Sequence, residues 1–546
     1  MKNLLTTFLK KDASGYSHAR LNWLTELNQI DEIASIKLSI HHITTIPNDP
    51  KLTLPEKINI LIAIEDANEA AVHMQTTQFV KADYLSAQVA DNIINNHYAY
   101  HRILFLAYTK LFAISYGRPS DQQPSKHLKL TIVTRALIAA ANMLKWRYFE
   151  HATAPANLWE QVNAIYQRAD EDMLCNQLTK PFKHLPSTTI TSLFLQLHMF
   201  GSLNFSNLLK QHLDVIAQLL QSWMSEVRVK KNIEPYHLFY IDLNKDHPAN
   251  RIRKKHPEGQ CLFWDLDEIE YIINDYVQSL KSNKTPHALQ QIEAKNTQII
   301  NEALCFLKNE WSKDNYKRQR RKEPRLKTER VVTVTIGINN ICELLKLSNL
   351  TTHSARSMLD GTLNDRRLAT SVVMRGDTNT LTIGKEKWTV LDESNSGLGS
   401  LISQRNAPNI KPNKLVAILS KNENTKPTLN LVRNIRQMSG GQLKIGMEIY
   451  TDNPTLISLK KLDLRKEKDV HPHTPPIISH LNFLAIYIPQ NIMLERAASF
   501  ILPKADFIPN AFYEILFKNK REIVKLQSPI ESGDDWVRLD FPEELK

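Results

Sequence analysis

The chain has 546 residues, 42% of them apolar and 23% charged, with a formal net charge of +12. That length is too great for one core and implies about three to four domains. The ordinary apolar content excludes a disordered or fibrous class, and the basic balance suits an anionic partner such as nucleic acid, a nucleotide or a membrane surface.

The four cysteines (Cys175, Cys261, Cys305 and Cys342) show no CxxC and no short Cys/His spacing. This argues against a zinc site or a disulfide framework and fits a reducing cytoplasm. The apolar run near Met1 is too short for a signal peptide. Lys110 and Arg135 interrupt the most apolar internal stretches, so no membrane span is expected.

Glycine divides the chain. Gly15, Gly117 and Gly201 are the only ones before residue 230, whereas ten of the fourteen follow residue 336. Glycine serves hairpins and bulges, so helices are expected first and sheet afterwards. Residues 1–230 read as a helical array: Leu21, Leu24, Leu27 and Ile30 form one stripe, and Leu158, Val162 and Ile165 another. Thr53-Leu54-Pro55-Glu56 is a capping box with proline in the first turn. No fixed period names a known repeat.

Residues 231–316 form a mixed region. Two strand-like runs, 237–243 and 261–266, flank the basic loop Arg251–Lys255 as a long-looped hairpin, and helical pattern follows over 269–280 and 287–311. From Val331 onward β-signals dominate, at 331–336, 371–374, 380–383, 388–391, 415–419, 429–435 and 443–449, interrupted by a helix at 338–347. Short alternating runs at this spacing argue for a closed or half-closed antiparallel barrel over residues 317–455. Residues 456–480, with His471-Pro472-His473, read as a linker, and 481–546 as a further small β-module. The whole is multidomain α+β, with an all-α N-terminal array and a C-terminal antiparallel β-barrel.

Two stretches carry chemistry. Arg321 and Arg325 stand four residues apart at the mouth of the first strand, with Arg318 and Arg320 beside them. A guanidinium is always charged and its planar fork fits phosphate or guanine. Pro324 disfavours helix at this point, which makes the tract an extended arm. Its plainer reading is a solvated basic linker. Asp392-Glu393-Ser394-Asn395-Ser396-Gly397 follows the run 388–391. There a carboxylate can accept two guanine N–H groups, a hydroxyl and turn N–H groups can hold phosphate, and Gly397 and Gly399 permit sharp turning and close approach. Its plainer reading is an ordinary Asx/Ser turn.

An RxxxR before a β-domain and a DxSxxG inside it are the two-part signature of PilZ domains, and residues 318–455 resemble that family. The resemblance implies a six-stranded antiparallel barrel that binds cyclic di-GMP under its N-terminal arm. The implied ligand-binding residues are Arg318, Arg320, Arg321, Arg325, Asp392, Ser394 and Gly397. The interval between Arg325 and Asp392 is longer than in a minimal PilZ domain. The longer architecture is similar to large PilZ-containing bacterial proteins.

No P-loop, GxSxG, HExxH or strand-linked GxGxxG is present, so no catalytic residue, metal ligand or cofactor is assigned. The leading expectation is a cytoplasmic cyclic di-GMP receptor. It changes its inter-domain arrangement on binding and signals to a protein partner through the helical half. The alternatives are a nucleic-acid-binding protein using the basic tract 317–330, and a PilZ-like scaffold that takes no ligand.

Overall fold

The computed structural model describes residues 15–542, except 83–84, 118–122, 183–185, 254–256, 314–323, 348–383, 404–409, 420–426, 439–440, 463–477, 492–495, 518–519 and scattered positions in 283–295. The chain forms two compact units, Met1–Gln319 and Arg320–Lys546.

The first unit is helical, as the sparse glycine implied. Its main helices are α1 (Glu32–Thr45), α2 (Leu54–Lys81), α3 (Ala87–Tyr116), α4 (Lys126–Phe149), α5 (Leu158–Glu171), α6 (Ile190–Gly201), α7 (Lys210–Trp223), α8 (Asp267–Lys281) and α9 (Thr297–Trp311). The expected capping box opens α2: the Thr53 hydroxyl accepts from the Glu56 N–H at 3.4 Å, and the Glu56 carboxylate accepts from the Thr53 N–H at 2.8 Å. The expected hairpin is a three-stranded antiparallel sheet in which β1 (Phe239–Asp242) lies between β2 (Asn250–Arg251) and β3 (Cys261–Trp264). Arg251 of the basic loop donates to the carbonyls of Glu310 and Ser312, at the end of α9.

Arg135, which breaks the apolar run of α4, is buried inside the array. It donates to Glu65 at 2.9 Å and Asp66 at 3.0 Å on α2, and its guanidinium lies 3.7 Å from the Phe182 ring centroid. Tyr108 on α3 donates to the same Glu65 carboxylate at 2.8 Å. One cation thus joins α2 and α4 and, through Glu65, α3.

The second unit opens with a closed barrel of six antiparallel strands, ordered β4 (Leu326–Ile336), β5 (Lys385–Ser394), β6 (Gly397–Ser403), β9 (Gln442–Thr451), β8 (Thr428–Met438) and β7 (Leu415–Leu419). Alternation fills its interior with Val332, Val334, Trp388, Val390, Val432 and Ile445, among others. The expected strands 371–374 and 380–383, and the pair His471 and His473, lie outside the described residues. Residues 338–347 are helical as expected. Ile338, Ile341 and Leu345 pack with Leu415 and Leu431 of the barrel's outer face and with Ile486, Ile501 and Trp536 of a second sheet.

That sheet has seven strands, ordered β14 (Lys520–Lys525), β13 (Phe512–Phe517), β10 (Thr455–Leu462), β11 (Ile478–Ile488), β12 (Ser499–Pro503), β16 (Trp536–Asp540) and β15 (Glu531–Ser532). Residues 456–462, expected to open a linker over 456–480, instead belong to the central strand β10. The reason is a period-two pattern too short to register beside its lysines: Ile457 and Leu459 enter the core, Ser458 and Lys460 alternate with them, and Leu456 meets the barrel side.

Two stability outcomes follow from the helical unit. Replacing Arg135 with Leu leaves Glu65 buried without its cation, and denaturant titration is expected to show a loss of about 3–5 kcal/mol. Burial holds the imidazoles of His97 and His198 at about 3 and His151 at about 4, against an ordinary 6.5. Their folded values are depressed, so the stability they contribute is complete above pH 6.5 and falls as pH drops towards 4. Each group then costs about 1.4 kcal/mol per pH unit. His198 packs against Trp159 and Phe194 with neither ring nitrogen hydrogen-bonded. His198→Phe is therefore expected to reduce the fall in melting temperature between pH 6.5 and 4.5.

Candidate ligand-binding site

The site is built by the β5–β6 hairpin, the start of β4, and the β8–β9 pair. Asp392 and Ser394 end β5 and Gly397 begins β6, with Ser394 paired to Gly397 so that Asn395 and Ser396 form a two-residue loop. Arg325 stands one residue before β4. Sixty-seven positions separate it from Asp392, yet its Nη1 donates to the Asp392 carboxylate in an ion pair whose side chains are 20% and 19% exposed. A parallel contact lies beside it, with Arg330 donating to Glu393 at 2.7 Å.

The glycines of the hairpin make room for neighbouring protein atoms and do not supply the sharp turning expected of them, which is a correction to the expectation from sequence. Positive φ among the described glycines occurs at Gly259, Gly337 and Gly441, and so not at Gly397 or Gly399. A Cβ on Gly397 would lie 2.7 Å from the Met447 carbonyl oxygen of the neighbouring strand and 3.3 Å from Arg325 Nη2. A Cβ on Gly399, which faces Asp392 in register, would lie 2.5 Å from its Oδ1. Gly399 therefore makes the space in which the Asp392 carboxylate turns towards Arg325. The Ser394 hydroxyl donates to the Gly397 carbonyl at 3.3 Å and closes the hairpin.

A cavity of about 180 Å³ opens between these parts, with Arg325, Ser394 and Gly397 on one side and Arg433, Asn434 and Glu448 on the other. The helix at 338–347, which lengthens the interval between the two motifs, does not line it. Arg318, Arg320 and Arg321 lie outside the described residues. The structure thus brings together Arg325, Asp392, Ser394 and Gly397. Reading the sequence missed Arg433 and Glu448. The available signal was a break in alternation, where Leu431-Val432 are both buried and Arg433-Asn434 separate them from buried Ile435.

Residues 18–234 match the family described as cyclic-di-GMP receptor FimW, N-terminal domain. This match covers less than half of the chain and falls within the helical unit, and it ties that unit to a family of cyclic di-GMP receptors. No curated protein and no solved structure matches. The similarity and the barrel motifs concern different units of the chain. Among the described residues, no helix is long and apolar enough to cross a membrane.

The steric role of Gly397 is directly measurable. Gly397→Ala forces a side chain against the Met447 backbone and is expected to cost about 1–3 kcal/mol in chemical denaturation. Gly384→Ala, where an added Cβ meets nothing within 4 Å among the described residues, is expected to leave the midpoint near its original value.

Proposed function

We propose that the protein is a non-catalytic receptor for cyclic di-GMP that binds at the Arg325–Asp392 cavity. The observation that carries this reading is the meeting of the two motifs at one cavity, with Ser394 and Gly397 in its wall. The similarity of the helical unit to a cyclic di-GMP receptor supports it independently. On binding, Asp392 accepts the N1–H and N2–H of one guanine, and Arg325 turns from the carboxylate to a phosphodiester oxygen. At about 180 Å³ the cavity is smaller than the ~300–1,000 Å³ usual for small-ligand sites. The remainder of the dinucleotide is therefore covered by Arg318, Arg320 and Arg321 of the preceding arm.

That arm spans the boundary between the two units at residues 319 and 320. Binding through these arginines changes the inter-domain arrangement, driven by a difference in affinity for the ligand between two arrangements. The helical unit then passes the signal to a protein partner in the cytoplasm. No cofactor is required.

Two other readings have less support. For nucleic acid, three described cations of the basic regions are already engaged, Arg251 by helix carbonyls and Arg325 and Arg330 by carboxylates, which leaves Arg253 and Lys327 exposed. The self-closed Arg325–Asp392 pair is the one observation that favours a scaffold taking no ligand. Isothermal titration of the full chain separates the readings. Cyclic di-GMP is expected to bind the unmutated protein, and Arg325→Ala or Asp392→Ala is expected to weaken binding about 100-fold or more with the melting temperature little changed. Absence of heat with the unmutated protein supports the scaffold. Salt-sensitive DNA binding that persists in Asp392→Ala supports the nucleic-acid reading.

A further inference from the structure

Across the cavity from the Arg325–Asp392 pair, β8 carries an extra residue. Val432 pairs with Met447 and Asn434 with Gly446, so Arg433 has no partner across the ladder and is the bulged position. A second irregularity on the same pair, between Leu429 and Asn430, leaves Tyr450 of β9 as the extra residue. Bulges re-aim side chains and gather beside functional sites. Here they turn Arg433 to the cavity wall and place Tyr450 within a cluster of arginines.

Arg433 Nε donates to Glu448 at 2.6 Å and its Nη1 to Glu531 of β15 at 2.7 Å. Glu531 also accepts from Tyr450 and, at 3.3 Å, from Arg538 of β16. Arg496 pairs with the other oxygen of Glu448 and donates to the Tyr450 carbonyl at 2.8 Å. The guanidinium carbons of Arg496 and Arg538 lie 4.7 and 5.3 Å from the Tyr450 ring centroid.

Two features of this network point to a ligand. Among the described residues, three arginines face two carboxylates and a neutral phenol, which leaves one positive charge unbalanced there. The side chains of Arg496 and Arg538 are only 9% and 12% exposed, whereas that of Arg433 is 37% exposed at the cavity. Arg433 also keeps donors in hand: a guanidinium has five N–H groups, and among the described residues Nη2 makes no hydrogen bond. Asn434 beside it is exposed, and its carboxamide occupies the space that a side chain on Gly446 would fill.

We propose that Arg433 is a further ligand-binding residue, whose Nη2 takes a phosphodiester oxygen and whose hold on Glu531 transmits occupancy to the C-terminal sheet. The proposal rests on the cyclic di-GMP reading above and adds to it a binding residue and a route of response. Glu448 and Glu531 fix the guanidinium plane in advance, so little side-chain freedom is lost on binding. When the ligand draws on Arg433, the balance of the Glu531–Tyr450–Arg538 contacts shifts, and these contacts anchor β15 and β16.

The test uses the full chain with cyclic di-GMP as the probe, read by titration calorimetry and by amide hydrogen exchange over residues 528–541. Arg433→Gln is expected to weaken binding at least tenfold. Arg433→Lys, which keeps the charge and guards against misfolding, is expected to recover part of that loss. In the unmutated protein the ligand is expected to change exchange in β15 and β16. Glu531→Gln is expected to lose that distal change and to weaken binding less than Arg433→Gln does. Binding by Arg433→Gln within twofold of the unmutated protein, with Arg325→Ala inactive, overturns the proposal and leaves the receptor reading intact. So does exchange at 528–541 that ignores the ligand. No binding by the unmutated protein overturns both.

Discussion

The contact between Arg325 and Asp392 is set by the strand pairing on which the organisation of the barrel depends. It forms only because β4 and β5 pair in the register that sets Lys327 opposite Asp392, and because Gly399 leaves room for the carboxylate. The same register sends Val332, Val334, Trp388 and Val390 into the barrel core. A slip of one residue would invert both faces of the strand and separate the two charges. Core packing and site geometry are therefore one constraint.

Around that constraint the unit is layered. The barrel interior is apolar and closed, its outer face is covered by the helix at 338–347 and by one side of the seven-stranded sheet, and the other side of that sheet holds its own core of Phe500, Tyr513 and Leu539. Polar contacts cross this arrangement at the cavity's end, through Arg433, Glu448 and Glu531. Burial on its own would raise the pKa of the Glu531 carboxyl, but Arg433, the Tyr450 hydroxyl and Arg538 outweigh it and hold the group below its ordinary 4.5. It stays ionised at neutral pH, as its place between two arginines requires.

Much of this was legible in the sequence, and the exceptions have physical causes. Helices with wide apolar stripes, the Thr53–Glu56 box and the strands from Val331 onward follow from periodicity and capping, which are local. Arg325 and Asp392 were suggested together only by the resemblance to a known motif pair, since nothing local connects residues 67 positions apart. Gly397 was noticed for sharp turning and the close approach of a ligand, whereas its surroundings show a neighbouring backbone that leaves no room for a Cβ. Arg433 escaped notice because a bulge breaks the alternation by which strands are read. Strand β10 escaped because two inward residues followed at once by Lys460 and Lys461 resemble the start of a linker. The buried Arg135 was read only as a break in an apolar run, and its carboxylate partners on another helix were invisible to spacing.

In the proposed binding mode the ligand takes the place of the Arg325–Asp392 contact, which is closed in its absence. A crystal structure of the full chain with cyclic di-GMP tests this most directly. The account expects the pair opened, with Asp392 on a guanine edge and Arg325 on a phosphodiester. Ligand bound elsewhere, with that pair intact, would contradict it.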